Sequence, residues 1–247
     1  MIAFILKTPF FYTTTLNLLY YWLTMKMFEM LQKFISPKVS GLIKVLSIGV
    51  LLSLSACDEE DEGLKIQPHD ENKMMSIMHA MMDKMHTMQM NEDPDIVFAR
   101  MMIMHHQGAI NMSDEVLTSG DNAAIKAIAT KIKTDQQKEI QDLQSFINSY
   151  QPDQSPDSKF NMELMDSMEK SDRQSDLQVI TGDTDHDFAQ LMIVHHQSAI
   201  ENARAVQEHG TSTFIKNMAH MMVDAQMMEI KELQTWLLAN SNMSGGH

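Results

Sequence analysis

The sequence predicts an all-α protein, a four-helix bundle made of two duplicated helical hairpins, each preceded by a methionine-bearing helix. Three observations predict it. Residues 93–144 recur at 183–234 with a constant offset of 90 and no gap, so Phe98 meets Phe188, Met102 meets Met192, and His105-His106-Gln107 meets His195-His196-Gln197. Within each copy the apolar residues return at spacings of three, four and seven, the helical period. Each copy is broken by one glycine, Gly120 or Gly210, and no stretch shows the β-branched alternation of a strand.

The N-terminal part speaks to compartment before fold. The chain of 247 residues has one cysteine, in the context Leu54-Ser55-Ala56-Cys57, preceded by the apolar run 45–54 and by Lys33, Lys38 and Lys44. A charged region, a short apolar run and small residues before a break have the layout of a secretory signal peptide. Ending in Cys, this one resembles a bacterial lipobox, which implies cleavage before Cys57 and its lipidation. The competing reading is an uncleaved anchor, but the apolar run falls short of the roughly 20 residues that span a bilayer. Residues 1–24 form a separate apolar-aromatic stretch. They read either as upstream translation ahead of a start at Met25 or Met30, or as an extra membrane helix.

Residues 1–57 carry five Lys and one Glu, so without them the formal charge moves from −14 to −18. Nucleic acid, which needs a basic face, is excluded as a partner on this ground, and metal cations are favoured. The block Asp58-Glu59-Glu60-Asp61-Glu62 opens a stretch, residues 58–72, expected to be a disordered acidic tether. It also resembles the acidic signal that some Gram-negative bacteria use to send lipoproteins to the cell surface. With no thiol other than Cys57, neither disulfides nor thiolate sites are open to residues 58–247.

The first repeat is expected over residues 73–150. Its preface places Met74, Met78, Met81, Met85 and Met88 on one helical stripe, with His79 and His86 alongside. A first hairpin helix follows, capped by Asp93-Pro94-Asp95, with Phe98, Met102, His105, Ala109, Met112 and Val116 on one face. After Gly120 a second helix carries Ile125, Ile128, Ile132, Ile140, Leu143 and Ile147, with Gln136 inside that stripe and Glu139 at its edge. Residues 151–160, polar and proline-containing, form the linker. The second repeat, residues 161–240, has a sparser preface of Met162, Met165 and Met168. It then has a capping Thr181-Gly182-Asp183, a first helix ending at Gly210, and a second with Ile215, Met218, Met222, Ile230, Leu233 and Leu237, carrying Gln226 and Glu229 in the equivalent places. Residues 241–247 form a tail.

Of the 26 methionines, 22 lie beyond Cys57. Thioether is both a flexible core filler and a soft ligand suited to Cu(I). For Met104, Met112 and Met218 core packing is the plain reading. In the first preface, where Leu and Ile would ordinarily hold a core stripe, Met beside His reads as a metal-binding device. The histidine pairs carry the sharper argument. Residues i and i+4 share a helix face, so Met102 with His106 and Met192 with His196 can each offer sulfur and nitrogen to one ion. Met101 with His105 adds a pair in the first copy only, because Leu191 stands at the equivalent place. Glu139 and Glu229, with Gln136 and Gln226, are expected to support the imidazoles and fix their tautomers. The competing reading is that each histidine is a satisfied core group.

The pattern Phe98-Ala99-x-x-Met102-Ile103-x-His105-His106-Gln107-x-Ala109-Ile110, its second copy with the preceding Thr181-Gly182-Asp183-x-Asp185, and the following Gln136-x-x-Glu139-Ile140 resemble the DUF305 family over residues 73–240. The resemblance implies a ferritin-like four-helix bundle and a copper-binding protein of the bacterial envelope, implicated in copper tolerance. Met104 and Val194 stand where many members have proline, which bears on helix bending and leaves the histidines untouched.

The sequence is compatible with three functions. The first is a non-enzymatic, lipid-anchored envelope protein holding Cu(I), with Cu(II) or Ag(I) as further ions, for buffering, tolerance or delivery to a partner protein. The second is a structural or interaction lipoprotein without metal. The third, a ferritin-like di-metal oxidase, would need Glu-x-x-His motifs, and the chain contains none. No nucleophile triad, phosphate loop or paired-carboxylate motif is visible, so no catalytic residue is assigned.

Overall fold

The computed structural model describes Lys26 and residues 66–240. The signal segment with Cys57, the acidic block 58–62 and the tail 241–247 lie outside the described residues. Among those described there are six α-helices and no strand: α1 Lys73–His86, α2 Pro94–Ser119, α3 Ala123–Ser149, α4 Ser158–Asp176, α5 Thr184–His209 and α6 Thr213–Asn240. The all-α bundle of two hairpins, each preceded by a methionine-bearing helix, is the architecture observed.

Helix starts follow from local chemistry. The side chains of Asn72, Asp93, Asn122, Asp157 and Asp183 each accept a backbone N–H from the first turn of the helix they precede. Pro94 adds a pre-set φ at the start of α2. Gly120 and Gly210 end α2 and α5, their N–H groups bonding back to the carbonyls of Val116 and Val206. Gly182, at φ +79°, turns the chain into α5, a conformation that favours glycine.

Packing centres on α2 and α5. Each pairs with its own hairpin partner, α3 or α6, and the two lie against one another; α3 also meets α6, α1 packs on α2, α4 on α5, and α1 touches both α4 and α5. Phe98, Phe188 and Phe160 are fully buried in the resulting core, each contributing about 1.5–3 kcal/mol by removal from water. Because neighbours surround α2 and α5, polar side chains on their inner faces have no access to solvent.

The structure corrects three boundaries. Residues 66–72 do not belong to a disordered tether. Gln67 donates its N–H to the Ile180 carbonyl at 2.7 Å, and Asn72 donates to the buried Asp187 carboxylate at 2.8 Å. Asp187 collects Thr181 and Gly182 N–H groups as well, which ties the approach to α1 onto the start of α5. The linker ends at Asp157 rather than 160, because that side chain caps Lys159 and Phe160. Met88 falls outside the helical stripe, since α1 stops at His86, where Thr87 turns its N–H and hydroxyl back to Lys84.

Candidate metal centre

Adjacent residues on a helix point about 100° apart, and the histidine pairs divide accordingly. His105 of α2 and His195 of α5 meet between the repeats, ring centroids 3.6 Å apart and inclined at 39°. His106 and His196 turn instead toward the second helix of their own hairpin. There His106 Nε2 lies 2.7 Å from Glu139 Oε2, and His196 Nε2 lies 3.0 Å from Glu229 Oε2. All four imidazoles are fully buried. Glu229 is buried too and receives Lys131 from α3 at 2.7 Å, a bond that joins the two hairpins.

The hydrogen bonds assign tautomers to the inner pair. Ser198 Oγ donates to the His195 carbonyl at 2.9 Å, so its lone pairs face His105, whose Nε2–H donates to it at 2.9 Å. His195 Nε2–H donates to the His105 carbonyl, also at 2.9 Å. Both rings therefore carry their proton on Nε2 and a lone pair on Nδ1. The asymmetry has a cause in the sequence: the offset of 90 sets Gly108 opposite Ser198, and glycine has no hydroxyl to offer. For the outer pair, a carboxylate beside Nε2 favours the proton on that nitrogen, although the N–H is angled away from a proper hydrogen bond and finds no other partner.

Burial sets the protonation. Enclosure, reinforced by the neighbouring His195, His106 and His196, holds His105 well below the usual imidazole value. Burial and then His196 do the same to His195. Both are neutral at physiological pH, the form that ligates metal. Burial alone would raise Glu229, but His196 and Lys131 outweigh it and leave its carboxyl below the ordinary value.

What remains unpaired defines the centre. The Nδ1 atoms of His105, His106, His195 and His196 are buried without hydrogen-bond partners, and so are both amide atoms of Gln136 and of Gln226. Met101, Met102 and Met192 are wholly buried on the same two helices. Asn202, at the place of Met112 in the first copy, points its amide at the Met101 sulfur at 3.7 Å. These donors fit a soft ion held by a few imidazole and thioether groups. They fit a site with three or more imidazoles poorly: among the described residues, the histidine and carboxylate atoms that approach one another within 4.8 Å in threes are His79 with Asp172 and Asp176, and Glu163 with Glu208 and His209.

The first preface is placed otherwise than expected. Met74, Met78, Met81 and Met85 are buried in the core together with Met75 and Met82, because α1 is covered by α2, α4 and α5. The Met81 sulfur lies so close over Gly108 that a Cβ there would collide with it. His79 and His86 do not join these thioethers. His79 faces Asp176 at 2.9 Å, and His86 is exposed. Of the second preface, Met168 is buried while Met162 and Met165 are exposed. The sequence reading missed Ser198 and Asn202, which the comparison of unlike residues at equivalent positions would have found. It also missed the exposed Met221, Met227 and Met228 on α6.

A family model described as a domain of unknown function, DUF305, matches residues 25–147 and again residues 95–237. The chain belongs to the DUF305 family. The two overlapping DUF305 matches together take in both histidine pairs. A search of curated proteins finds no match. Among solved structures, the chain is similar to CopM in the apo form, with 24% identity, a TM-score of 0.45, and coverage of 59% of this chain and 97% of that one. It is similar to CopM in the Ag-bound form obtained by soaking, with 22% identity, a TM-score of 0.46, and coverage of 59% and 96%. It is also similar to a DUF305 fragment from Deinococcus radiodurans, with 15% identity, a TM-score of 0.45, and coverage of 61% and 99%.

Proposed function

We propose that this DUF305 protein is a cell-envelope lipoprotein, anchored through Cys57, that binds copper for buffering, tolerance or delivery and catalyses no reaction. Cu(I) is the main ion, with Cu(II) and Ag(I) as further ones. The observation that carries this reading is the set of four buried Nδ1 atoms, at equivalent places in both repeats, that no protein group satisfies. Each such atom costs about 1–3 kcal/mol. Four of them rival the whole net stability of a domain, about 5–15 kcal/mol, so a chain that places them twice has a use for them. A coordinated ion offsets that cost. His105, His106, His195 and His196 would hold such ions in sets of one or two imidazoles with thioethers from Met101, Met102 and Met192, while Glu139 and Glu229 stand behind the outer imidazoles. A small number of nitrogen and sulfur donors suits Cu(I) better than a hard cation.

The metal-free structural reading explains the helices but leaves the same atoms unpaired. The oxidase reading lacks its carboxylates: one glutamate faces each outer histidine, and no Glu-x-x-His is present. The net charge and the absence of any basic motif favour a metal ion, and a protein that receives it, over nucleic acid.

The test is competitive titration of the purified protein against a Cu(I) chelator, beside the variant with His105, His106, His195 and His196 all changed to Gln, followed by thermal melts with and without copper. The wild type should compete for Cu(I) and melt higher when loaded, and the variant should lose both properties. A wild type that neither binds nor gains stability, or a variant indistinguishable from it, returns the protein to the structural reading.

A further inference from the structure

The end of α5 carries a cluster of different chemistry, present in the second repeat only. His209 is nine-tenths buried, its ring against the fully buried Phe160 at a centroid distance of 5.6 Å. Asp157, the cap of α4, takes His209 Nδ1 at 2.7 Å. That carboxylate fixes an N–H on Nδ1, so the nitrogen through which this imidazole can ligate is Nε2. Nε2 is buried and has no hydrogen-bond partner. It is aimed at Glu163, whose Oε2 stands 3.3 Å away. The other oxygen of Glu163 meets Lys159 at 3.3 Å in an exposed pair, which is worth little. One ligand atom each from Glu163, Glu208 and His209 lies within 4.8 Å of the others.

A lone pair and a carboxylate oxygen repel one another unless a cation lies between them. A proton is a poor bridge here, because the Nε2 to Oε2 approach fails the angle of a hydrogen bond. A metal ion is a better one. With bonds of about 2.0–2.2 Å, neighbouring ligand atoms of a tetrahedral zinc-like ion stand about 3.4 Å apart, close to the 3.3 Å between Nε2 and Oε2. Two carboxylates and an imidazole oriented by a third carboxylate form the donor set of such sites. Of the cations along the groove shared by Glu163 and Glu208, Lys170 is paired with Glu201, and Arg204 lies on the same wall. In the first repeat the offset of 90 sets Lys73, Thr118 and Ser119 at the places of Glu163, Glu208 and His209, so no twin site exists there.

We infer that His209, Glu163 and Glu208 form a separate binding site for a divalent transition cation of the zinc class, with Asp157 orienting the imidazole. The site has no thioether and one nitrogen, so it selects against Cu(I) and differs in kind from the buried centre. It also ties α4 to the end of α5.

The experiment is calorimetric titration of the metal-free full-length protein with ZnCl2, beside His209→Asn and the double variant Glu163→Gln/Glu208→Gln. Asn keeps an N–H donor toward Asp157 while removing Nε2 and the ring packed on Phe160, whereas the two glutamates reach solvent, so the double variant tests the site without touching the core. The wild type should bind one equivalent of Zn2+ that both variants lose or hold at least tenfold more weakly, while their Cu(I) titrations stay unchanged. A wild type without Zn2+ binding, or variants that keep its stoichiometry and affinity, overturns the inference and leaves His209 as a packing group held by Asp157.

Discussion

Asp95, in the first turn of the first repeat, accepts the backbone N–H of Ser212, in the hairpin turn of the second repeat, at 2.9 Å. The same oxygen takes Thr211 N–H at 2.9 Å. The arrangement is reciprocal: Asp185 of the second repeat accepts Asp121 and Asn122 N–H groups in the first, at 2.8 and 3.1 Å. Each repeat thus supplies the group that satisfies the free N–H donors at the start of the other's second helix. Neither hairpin is complete alone.

Replacing Asp95 or Asp185 by Ala should therefore destabilise the whole bundle. Each change removes at least two backbone N–H bonds to a carboxylate, a loss of about 3–6 kcal/mol. Urea denaturation of each variant measures it, and a midpoint equal to the wild type would show the crossing caps to be incidental. By the same logic residues 73–150 alone should not melt cooperatively.

Gly210 and Gly120 lie under these carboxylates. A Cβ at Gly210 would collide with Asp95 Oδ1 and come within 2.8 Å of the Val206 carbonyl; at Gly120 it would come within 2.5 Å of Asp185 Oδ1 and 2.7 Å of the Val116 carbonyl. Gly210→Ala and Gly120→Ala should each cost about 1–3 kcal/mol through overpacking, read as a fall in Tm of about 2–4 °C per kcal/mol. Alanine tolerated at both positions with no change in Tm would contradict the packing described.

The metal-free protein should lose stability as pH falls below about 6.5, the value of histidine in an unfolded chain. His105 and His195 are held well below that value in the fold, so in this window the unfolded chain binds protons that the folded one refuses. Their contribution is complete above the unfolded value and declines on acidification, by up to about 1.4 kcal/mol per pH unit for each ring. Melts from pH 7.5 to 5.0 should show this slope, and the double variant His105→Gln/His195→Gln should flatten it. An unchanged slope in the variant would place the pH dependence elsewhere.

Ser198→Ala should cost about 1–3 kcal/mol, because the buried His105 Nε2–H is left without an acceptor. Gly108→Ser, which would make the two copies alike, should also destabilise, because the new side chain enters the space of Met81. Chemical denaturation of both variants checks the pair. If Gly108→Ser instead stabilised the protein, the asymmetry of the inner histidines would have no packing cause.

Much of the fold was legible because it repeats. The helical period, the capping residues and the glycine breaks act within a few residues of themselves, so α2, α3, α5 and α6 could be read from Phe98, Asp93, Gly120 and their counterparts. The partnership of His106 with Glu139 was legible for the same reason: both lie in one hairpin whose register the short turn at Gly120 sets. Boundaries made by distant partners were not. Residues 66–72 look like free chain until Asn72 meets Asp187, 115 positions away.

The methionines show where a local pattern misleads. A stripe of Met on α1 has the same period whether it faces solvent, an ion or a core, and burial under α2, α4 and α5 is a property of the assembled helices. The contact of His105 with His195, the use of Ser198 as acceptor and the gathering of His209 with Glu163 likewise join residues that no spacing connects.

By itself the sequence determined the duplication, the four hairpin helices and their ends, and the kinds of ligand atom available, because each depends on residue chemistry over one or two helical turns. Only the tertiary structure decided which imidazole nitrogens keep their lone pairs, which methionines are buried, and that each repeat caps the other. Those outcomes depend on what lies across an interface, and neighbours across an interface are set by how whole helices pack.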